Sequence, residues 1–253
     1  MMIAVTAVRE KIRKKIFIAV TVISALLTLL LSTGSTTLTI GGEPLTGYNI
    51  MMPVVMTVMH AVSCIMAMVI SLGTIPAEYE RRTHHLILTR GVSQARYHGE
   101  LTLANVGASL ISHGIFMAGA AVYMVSQGHG RELPMMLPAY LISGLGAAVV
   151  STLSTALSAM MGRLPAGLIA GTVTLAGIFA PLLELAKSMA GGLAGKLLGV
   201  MLFLLPDLNS MQSAAAKLLT GKGSGLHPVF TGMFYIYLFA MFVMIYKRKA
   251  DKE

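Results

Sequence analysis

Charge is what this sequence has least of. Only 11% of its 253 residues are Asp, Glu, Lys or Arg, whereas soluble domains carry about a quarter. So few charges cannot cover a water-facing surface, which excludes an ordinary soluble globular protein. Tryptophan is absent, and the single cysteine, Cys64, excludes an intrachain disulfide and leaves no pattern of a structural zinc site.

Hydrophobic residues, by contrast, make up 55% of the chain and are gathered into long runs. A membrane-spanning helix needs about 20 mostly apolar residues. We therefore predict an all-α membrane protein that forms a single transmembrane domain over residues 1–253. The six predicted spans cover residues 16–32, 50–74, 101–125, 135–161, 166–185 and 228–246.

Basic residues lie mainly in the segments between these runs, and the net charge is +9. With six spans, 14 of the 19 Lys and Arg residues fall on one side of the membrane and 5 on the other. Cytosolic segments carry an excess of Lys and Arg, so both termini are expected in the cytosol, with the protein in the plasma membrane. Orientation explains the positive charge without nucleic-acid binding. The run from Ile16 to Leu31 is long for a signal peptide, and we expect it to be retained.

Residues 187–227 are the ambiguous part of this topology. They contain an apolar run from Leu197 to Leu205, which is shorter than a span requires. A seventh span would also place the basic tail at residues 247–252 outside the cell. We therefore predict six spans with a re-entrant or extracellular helical hairpin between spans 5 and 6.

The charged stretch between spans 2 and 3 is the most informative part of the sequence. Pro76 is suited to a first helical turn, and Glu78 and Glu80 suit the positive N-terminal end of a helix. Gly91 is a plausible stop. These features predict a short amphipathic helix over 76–90 that lies along the cytosolic membrane face, although a solvated loop would also accommodate the charges.

This stretch resembles the permeases of type-two, exporter-type ABC transporters, in which glutamates, a threonine, leucines and a Gly-Val-Ser sequence follow span 2. The matching residues here are Glu78, Glu80, Thr83, Leu86, Gly91, Val92 and Ser93. The six-span layout with a hairpin before the last span is similar as well. Gln94 replaces the usual arginine after the serine, and Glu100 replaces the lysine that often opens span 3.

The resemblance implies that 76–90 is a coupling helix that docks on a cytosolic ATPase. The implied coupling residues are Glu78, Glu80, Arg82, Thr83, Leu86, Arg90, Gly91 and Ser93. It also implies an N-terminal interfacial helix with Arg9, Lys11 and Arg13, two ATPase subunits and a second permease chain, identical or homologous. The chain has no phosphate-binding Gly-Lys-Ser/Thr motif, so ATP and Mg are expected on the partner, and we predict no catalytic, cofactor or metal residues here.

Polar residues inside the spans leave other functions open. His113 beside Ser109 and Ser112 is a functional candidate or a histidine bonded to a neighbouring hydroxyl. His60 and Cys64, with nearby methionines, could bind a cuprous ion in a copper transporter. An ion-coupled secondary transporter is the stronger alternative, although it usually requires charges near the membrane midplane. The aliphatic spans suit a hydrophobic or amphipathic cargo such as a peptide or lipid.

Small residues recur at four-residue spacing in two spans. Gly144, Ala148 and Thr152 lie in span 4, and Gly167 with Gly171 in span 5. Such patterns let helices approach closely, either within one chain or across a dimer seam, and the first arrangement is the commoner one.

Overall fold

The computed structural model describes residues 2–13, 15–34, 39–40, 43–44 and 47–246. Almost all of them are helical. The described helices are α1 (Met2–Ile12), α2 (Lys15–Gly34), α3 (Tyr48–Ser71), α4 (Thr74–Glu80), α5 (Thr83–Leu88), α6 (Gln94–Ser126), α7 (Met136–Met160), α8 (Arg163–Ile178), α9 (Ala180–Met189), α10 (Gly192–Leu204), α11 (Leu208–Leu219) and α12 (His227–Ile245). A 3-10 turn at Gly130–Met135 precedes α7, and β1 (Thr39–Ile40) pairs antiparallel with β2 (Glu43–Pro44). The prediction of an all-helical fold is confirmed apart from this short pairing.

Several helices are long and apolar enough to cross a membrane. Among the described residues these are Tyr48–Glu80, Gln94–Ser126, Gly130–Met160 and His227–Ile245. Three bent pairs, α1–α2, α8–α9 and α10–α11, could each form one further span. The number of candidate spans is therefore four to seven, as expected for a multi-pass membrane protein.

Three helices, α3, α6 and α7, form the centre of the bundle and pack against one another. Their contact faces are rich in methionine, alanine, serine and threonine. Gly144 faces Leu110 and His113 of α6, and Gly171 faces Met68 of α3. The small-residue positions therefore serve packing within the chain, which favours the first of the two predicted arrangements.

One end of the bundle carries α4 and α5 and is called the near end here; the far end carries the α6–α7 connection. The first and last described helices both reach the near end. The Ala4 amide donates to Glu100 at 3.3 Å, and Val243 of α12 packs against Ile75 and Tyr97. The predicted basic tail, residues 247–252, lies outside the described residues.

Span 5, predicted over 166–185, is bent in the structure. Helix α8 ends at Ile178, and α9 continues at an angle of 74°. Pro181 explains the break, because it has no amide hydrogen and its ring clashes with the carbonyl four residues earlier. That residue, Gly177, lies so close to the Pro206 carbonyl that a side chain would collide with it.

The ambiguous region 187–227 forms the end of α9, then α10 and α11. Helix α10 has no buried residue, whereas α11 packs against α3 and α7. The Tyr48 hydroxyl donates to the Leu219 carbonyl at 2.9 Å, and the Gln212 amide donates to Thr57 at 2.8 Å. Because Thr57 lies inside the predicted span 2, α11 packs within the bundle rather than beyond its far end.

Candidate functional site

The predicted coupling helix over 76–90 is two short helices at the near end. Helix α4 continues the direction of α3 after a turn at Gly73, and α5 follows after Arg81 and Arg82. Arg82 has φ +57°, a left-handed conformation that only glycine adopts without cost. The single predicted helix is therefore broken at this position, and the α4–α5 segment, residues 74–88, changes direction there.

Glu78 anchors the α4–α5 segment to α6. Its carboxylate accepts a hydrogen bond of 2.7 Å from the Tyr97 hydroxyl, and the Thr83 hydroxyl lies within reach of both its carboxylate and its carbonyl. Tyr97 is buried, so this bond ties the start of α6 to α4 inside the protein.

Aromatic rings fill the space between α5 and the start of α6. Tyr79 stacks on His84 with ring centroids 4.1 Å apart, and its hydroxyl lies 3.1 Å from His98. His84 and His98 are buried, whereas His85 is exposed although its ring touches that of His84. This packing fixes which face of α5 is turned away from the protein.

The outward face of the α4–α5 segment combines one large apolar side chain with charges. Leu86 is 69% exposed. Exposed charged residues flank it in the sequence, namely Glu80, Arg81 and Arg82 within the segment and Arg90 just after it. Glu80 forms a surface ion pair of 3.5 Å with Arg163 at the start of α8. An exposed leucine among charges, on a helix held from behind by buried contacts, is suited to docking on another protein.

Gly91 and Ser93 connect α5 to α6 and both are exposed. Gly91 has φ +80°, and a side chain there would meet no atom within 4 Å. Ser93 is the N-cap of α6 and accepts a hydrogen bond from the Arg96 amide at 3.3 Å. The Gly-Val-Ser sequence thus has a local structural reason, since it ends one helix and starts the next.

The three predicted residues of the interfacial helix have different surroundings. Arg9 and Arg13 are exposed, but Lys11 is 9% exposed. Its ammonium group donates to the Ile70 carbonyl at 2.9 Å and to the Thr74 hydroxyl at 2.8 Å. A cleft of about 290 Å³ separates α1 from α4, and its charged lining comprises Glu10, Lys11, Glu78, Arg81 and Arg163.

Sequence reasoning missed the residues that hold the α4–α5 segment in place. Tyr97 and Arg163 are distant in sequence from their partners Glu78 and Glu80, so no local spacing signals the contacts. Glu100, noted only as a departure from the family pattern, accepts a bond from the start of α1 and pairs with Arg96 at 3.3 Å.

His113 is the central polar residue of the bundle. Its two ring nitrogens lie 2.9 Å from the Ser63 hydroxyl of α3 and 2.8 Å from the Ser143 hydroxyl of α7. The neighbouring Ser109 and Ser112 hydroxyls, by contrast, are buried and have no hydrogen-bond partner among the described residues. His113 therefore joins three helices, which fits the interpretation of a histidine bonded to hydroxyls.

The possible copper ligands lie close together but form a pair only. Cys64 Sγ is 3.5 Å from His60 Nε2, which matches a hydrogen bond. Within the described part of the chain, no group of three or more His, Cys, Asp or Glu side chains could hold a metal ion.

Comparison with known proteins does not assign this arrangement to a family. No protein-family model matches the chain, and no curated protein is significantly similar to it.

Proposed function

We propose that this chain is the permease subunit of an ATP-driven exporter of the ABC type, and that the α4–α5 segment docks on a cytosolic ATPase. The exposure of Leu86 carries the proposal. Burying a leucine side chain yields about 1.5–3 kcal/mol, so an exposed leucine on an ordered helix among Arg81, Arg82 and Arg90 is suited to a partner's cleft. Glu78 and Tyr97 hold the segment so that force on α5 reaches α6.

Six spans with both ends in the cytosol remain the proposed topology. The arrival of both α1 and α12 at the near end supports an even number of crossings. The exposed basic residues Arg9, Arg13, Arg90 and Arg96 at this end support a cytosolic position, because cytosolic segments are rich in Lys and Arg. In this topology α9–α11 belong to the outer half of the membrane.

The working unit would contain two permease chains and two ATPase chains. ATP and Mg bind to the ATPase chains, and their closure moves both α4–α5 segments. The cargo is a hydrophobic or amphipathic molecule such as a peptide or lipid, in keeping with the aliphatic spans. Alternatively, the buried His60 and His113 would suit an ion-coupled or copper transporter.

Purification from the native membrane in mild detergent separates these possibilities. We expect a soluble-type ATPase to co-purify in a 1:1 ratio with the permease chain and to hydrolyse ATP. A chain that purifies alone, and whose reconstituted flux follows a proton or sodium gradient without ATP, would reject the exporter in favour of a secondary transporter. Bound copper in that preparation would identify the metal transporter.

A further inference from the structure

The buried Lys11 of α1 begins a continuous chain of hydrogen bonds across the near end. Its ammonium group donates to the Thr74 hydroxyl at 2.8 Å, and Thr74 donates to Asn105 Oδ1 at 3.0 Å. The Asn105 amide then donates to the Thr155 hydroxyl at 2.8 Å, and Thr155 donates to the Ser151 carbonyl at 2.8 Å. Every bond runs in the same direction, an arrangement in which each bond strengthens the next.

This Lys11 chain, defined as Lys11, Thr74, Asn105 and Thr155, joins four helices. Thr74 is the first residue of α4 and follows Gly73, where the backbone turns with φ +80°. Asn105 lies in α6 and Thr155 in α7, and both are fully buried. The joint between α3 and α4 is therefore tied to the centre of the bundle on one side and to α1 on the other.

Lipid anchoring does not explain the position of Lys11. A lysine that binds lipid headgroups must reach the membrane surface, but Lys11 is buried and points at the end of α3. A cation is favourable there, because the last carbonyls of a helix carry partial negative charge. Arg9 and Arg13 on the same helix are exposed and remain available for lipid.

Stability alone is also a poor reason to bury a lysine. Removing an ammonium group from water is costly, and an apolar residue of similar volume often replaces a buried ionic group without loss of stability. A buried charge with directed bonds is better suited to fixing one arrangement of its neighbours.

We propose that Lys11 is a positioning residue that makes α1 part of the coupling device, so that movement of α4 is transmitted through Thr74 and Asn105 to α7. The inference rests on the proposed function, since it assigns a role to the movement of the α4–α5 segment. Lys11 also restrains this segment when no ATPase is bound.

Hydrogen exchange of the full-length chain in lipid nanodiscs tests the restraint. We expect Lys11→Met to speed amide exchange in α4 and α5 by about tenfold or more, because bonds to a charged group are lost, while the other helices keep their rates. Lys11→Arg should restore most of the protection. Arg9→Met removes the same charge from the exposed side of α1 and should change nothing in this segment.

Two results would overturn the restraint. One is an exchange pattern for Lys11→Met that equals that of Arg9→Met. The other is a uniform increase over all helices, which would reduce Lys11 to a residue needed only for folding. Thr74→Val, which removes the hydroxyl but keeps the shape, should reproduce the local effect and add little to Lys11→Met.

The transmission is tested in the complex with the co-purified ATPase. Trapping the ATPase with ATP, Mg and vanadate should change exchange around Thr155 in the wild type and in Arg9→Met, but not in Lys11→Met. A response that persists in Lys11→Met, or that is absent in the wild type, would refute the transmission. If no ATPase co-purifies, the proposed function fails by itself, and the restraint is judged on the isolated chain.

Discussion

At the scale of single residues, Gly91 and Ser93 set the direction in which the chain leaves α5 and enters α6. Gly91 supplies a positive φ, and Ser93 accepts the bond from the Arg96 amide that caps α6. A side chain at position 91 would meet no atom within 4 Å, and the Ser93 hydroxyl bonds within the first turn of α6. Their role in the candidate site is therefore to orient α5, which carries Leu86. Direct contact of Gly91 or Ser93 with a partner protein remains a prediction.

Ser93 gives the first prediction at this scale. Loss of an N-cap side chain costs about 1 kcal/mol, so Ser93→Ala should lower the free energy of unfolding in detergent by roughly that amount. Ser93→Asp should preserve it, because a carboxylate also accepts the bond and suits the positive end of the helix. Equal stability of the Ala and Asp variants would show that the hydroxyl does not cap α6.

His113 gives the second prediction at the scale of single residues. In membrane proteins the coupling between hydrogen-bonded side chains averages about 0.6 kcal/mol and reaches about 1.7 kcal/mol. A double-mutant cycle of His113→Ala and Ser143→Ala should give a coupling energy in this range when unfolding is measured in mixed micelles. The same cycle with Ser109→Ala is the control and should give additive effects, since no described residue forms a hydrogen bond with the Ser109 hydroxyl. Additive effects for Ser143 would contradict the bridge.

At the scale of elements, the joint between α3 and α4 sets the orientation of the α4–α5 segment. Gly73 turns the chain with φ +80°, and Arg163 lies against it while pairing with Glu80. The α4–α5 segment is thus held by Arg163 from α8, by Tyr97 from α6 and by Lys11 from α1. Three separate helices would receive any force applied to it.

A matched pair of glycines tests this joint. A side chain at Gly73 would lie 2.6 Å from Arg163 Nε, whereas one at Gly91, with the same φ, would meet nothing within 4 Å. Gly91→Ala should therefore cost only the backbone term of about 1–2 kcal/mol. Gly73→Ala should cost up to about 1 kcal/mol more, because the Arg163 side chain must move away from its surface ion pair with Glu80. In an Arg163→Ala background the two glycine substitutions should cost the same. Thermal unfolding in detergent measures all three, and equal losses at both glycines would refute the close contact.

Runs of apolar residues were sufficient to predict the helices whose formation depends on their own residues alone. The runs at 50–74, 101–125 and 228–246 correspond to α3, α6 and α12, although α6 already begins at Gln94, because twenty apolar residues leave the chain few alternatives. The bend at Phe179 and the split at Arg82 were missed. The first depends on Pro181 together with a close approach to Pro206, and the second on a left-handed turn that arginine rarely adopts.

Contacts between residues that are far apart in the sequence could not be predicted either. Spacing along one helix says nothing about Tyr97 meeting Glu78, or about Lys11 reaching the end of α3. Lys11 is an example. In the sequence it is one of several similar basic residues, but in the structure Lys11 is buried whereas Arg9 and Arg13 are exposed, so these side chains have different physical roles.

At the scale of the whole molecule, the candidate docking segment, the described ends of the chain and the charged cleft all gather at the near end. The far end carries the α6–α7 connection, and helices α9 and α10 have no buried residues. A partner that drives the proposed permease from one side would meet it at the near end. The central claim is that the driving partner binds at Leu86.

The most direct test compares two leucines with the same exposure. Leu86 lies in the candidate docking segment and Leu226 at the far end, and both are 69% exposed. Each is changed to Asp, and the amount of co-purifying ATPase is measured per permease chain at equal expression and equal thermal stability. We predict that Leu86→Asp weakens ATPase binding by about tenfold or more, since about 1.5–3 kcal/mol of apolar burial is lost, and that Leu226→Asp leaves it unchanged. Equal ATPase recovery with Leu86→Asp, Leu226→Asp and the wild type would contradict docking at the α4–α5 segment.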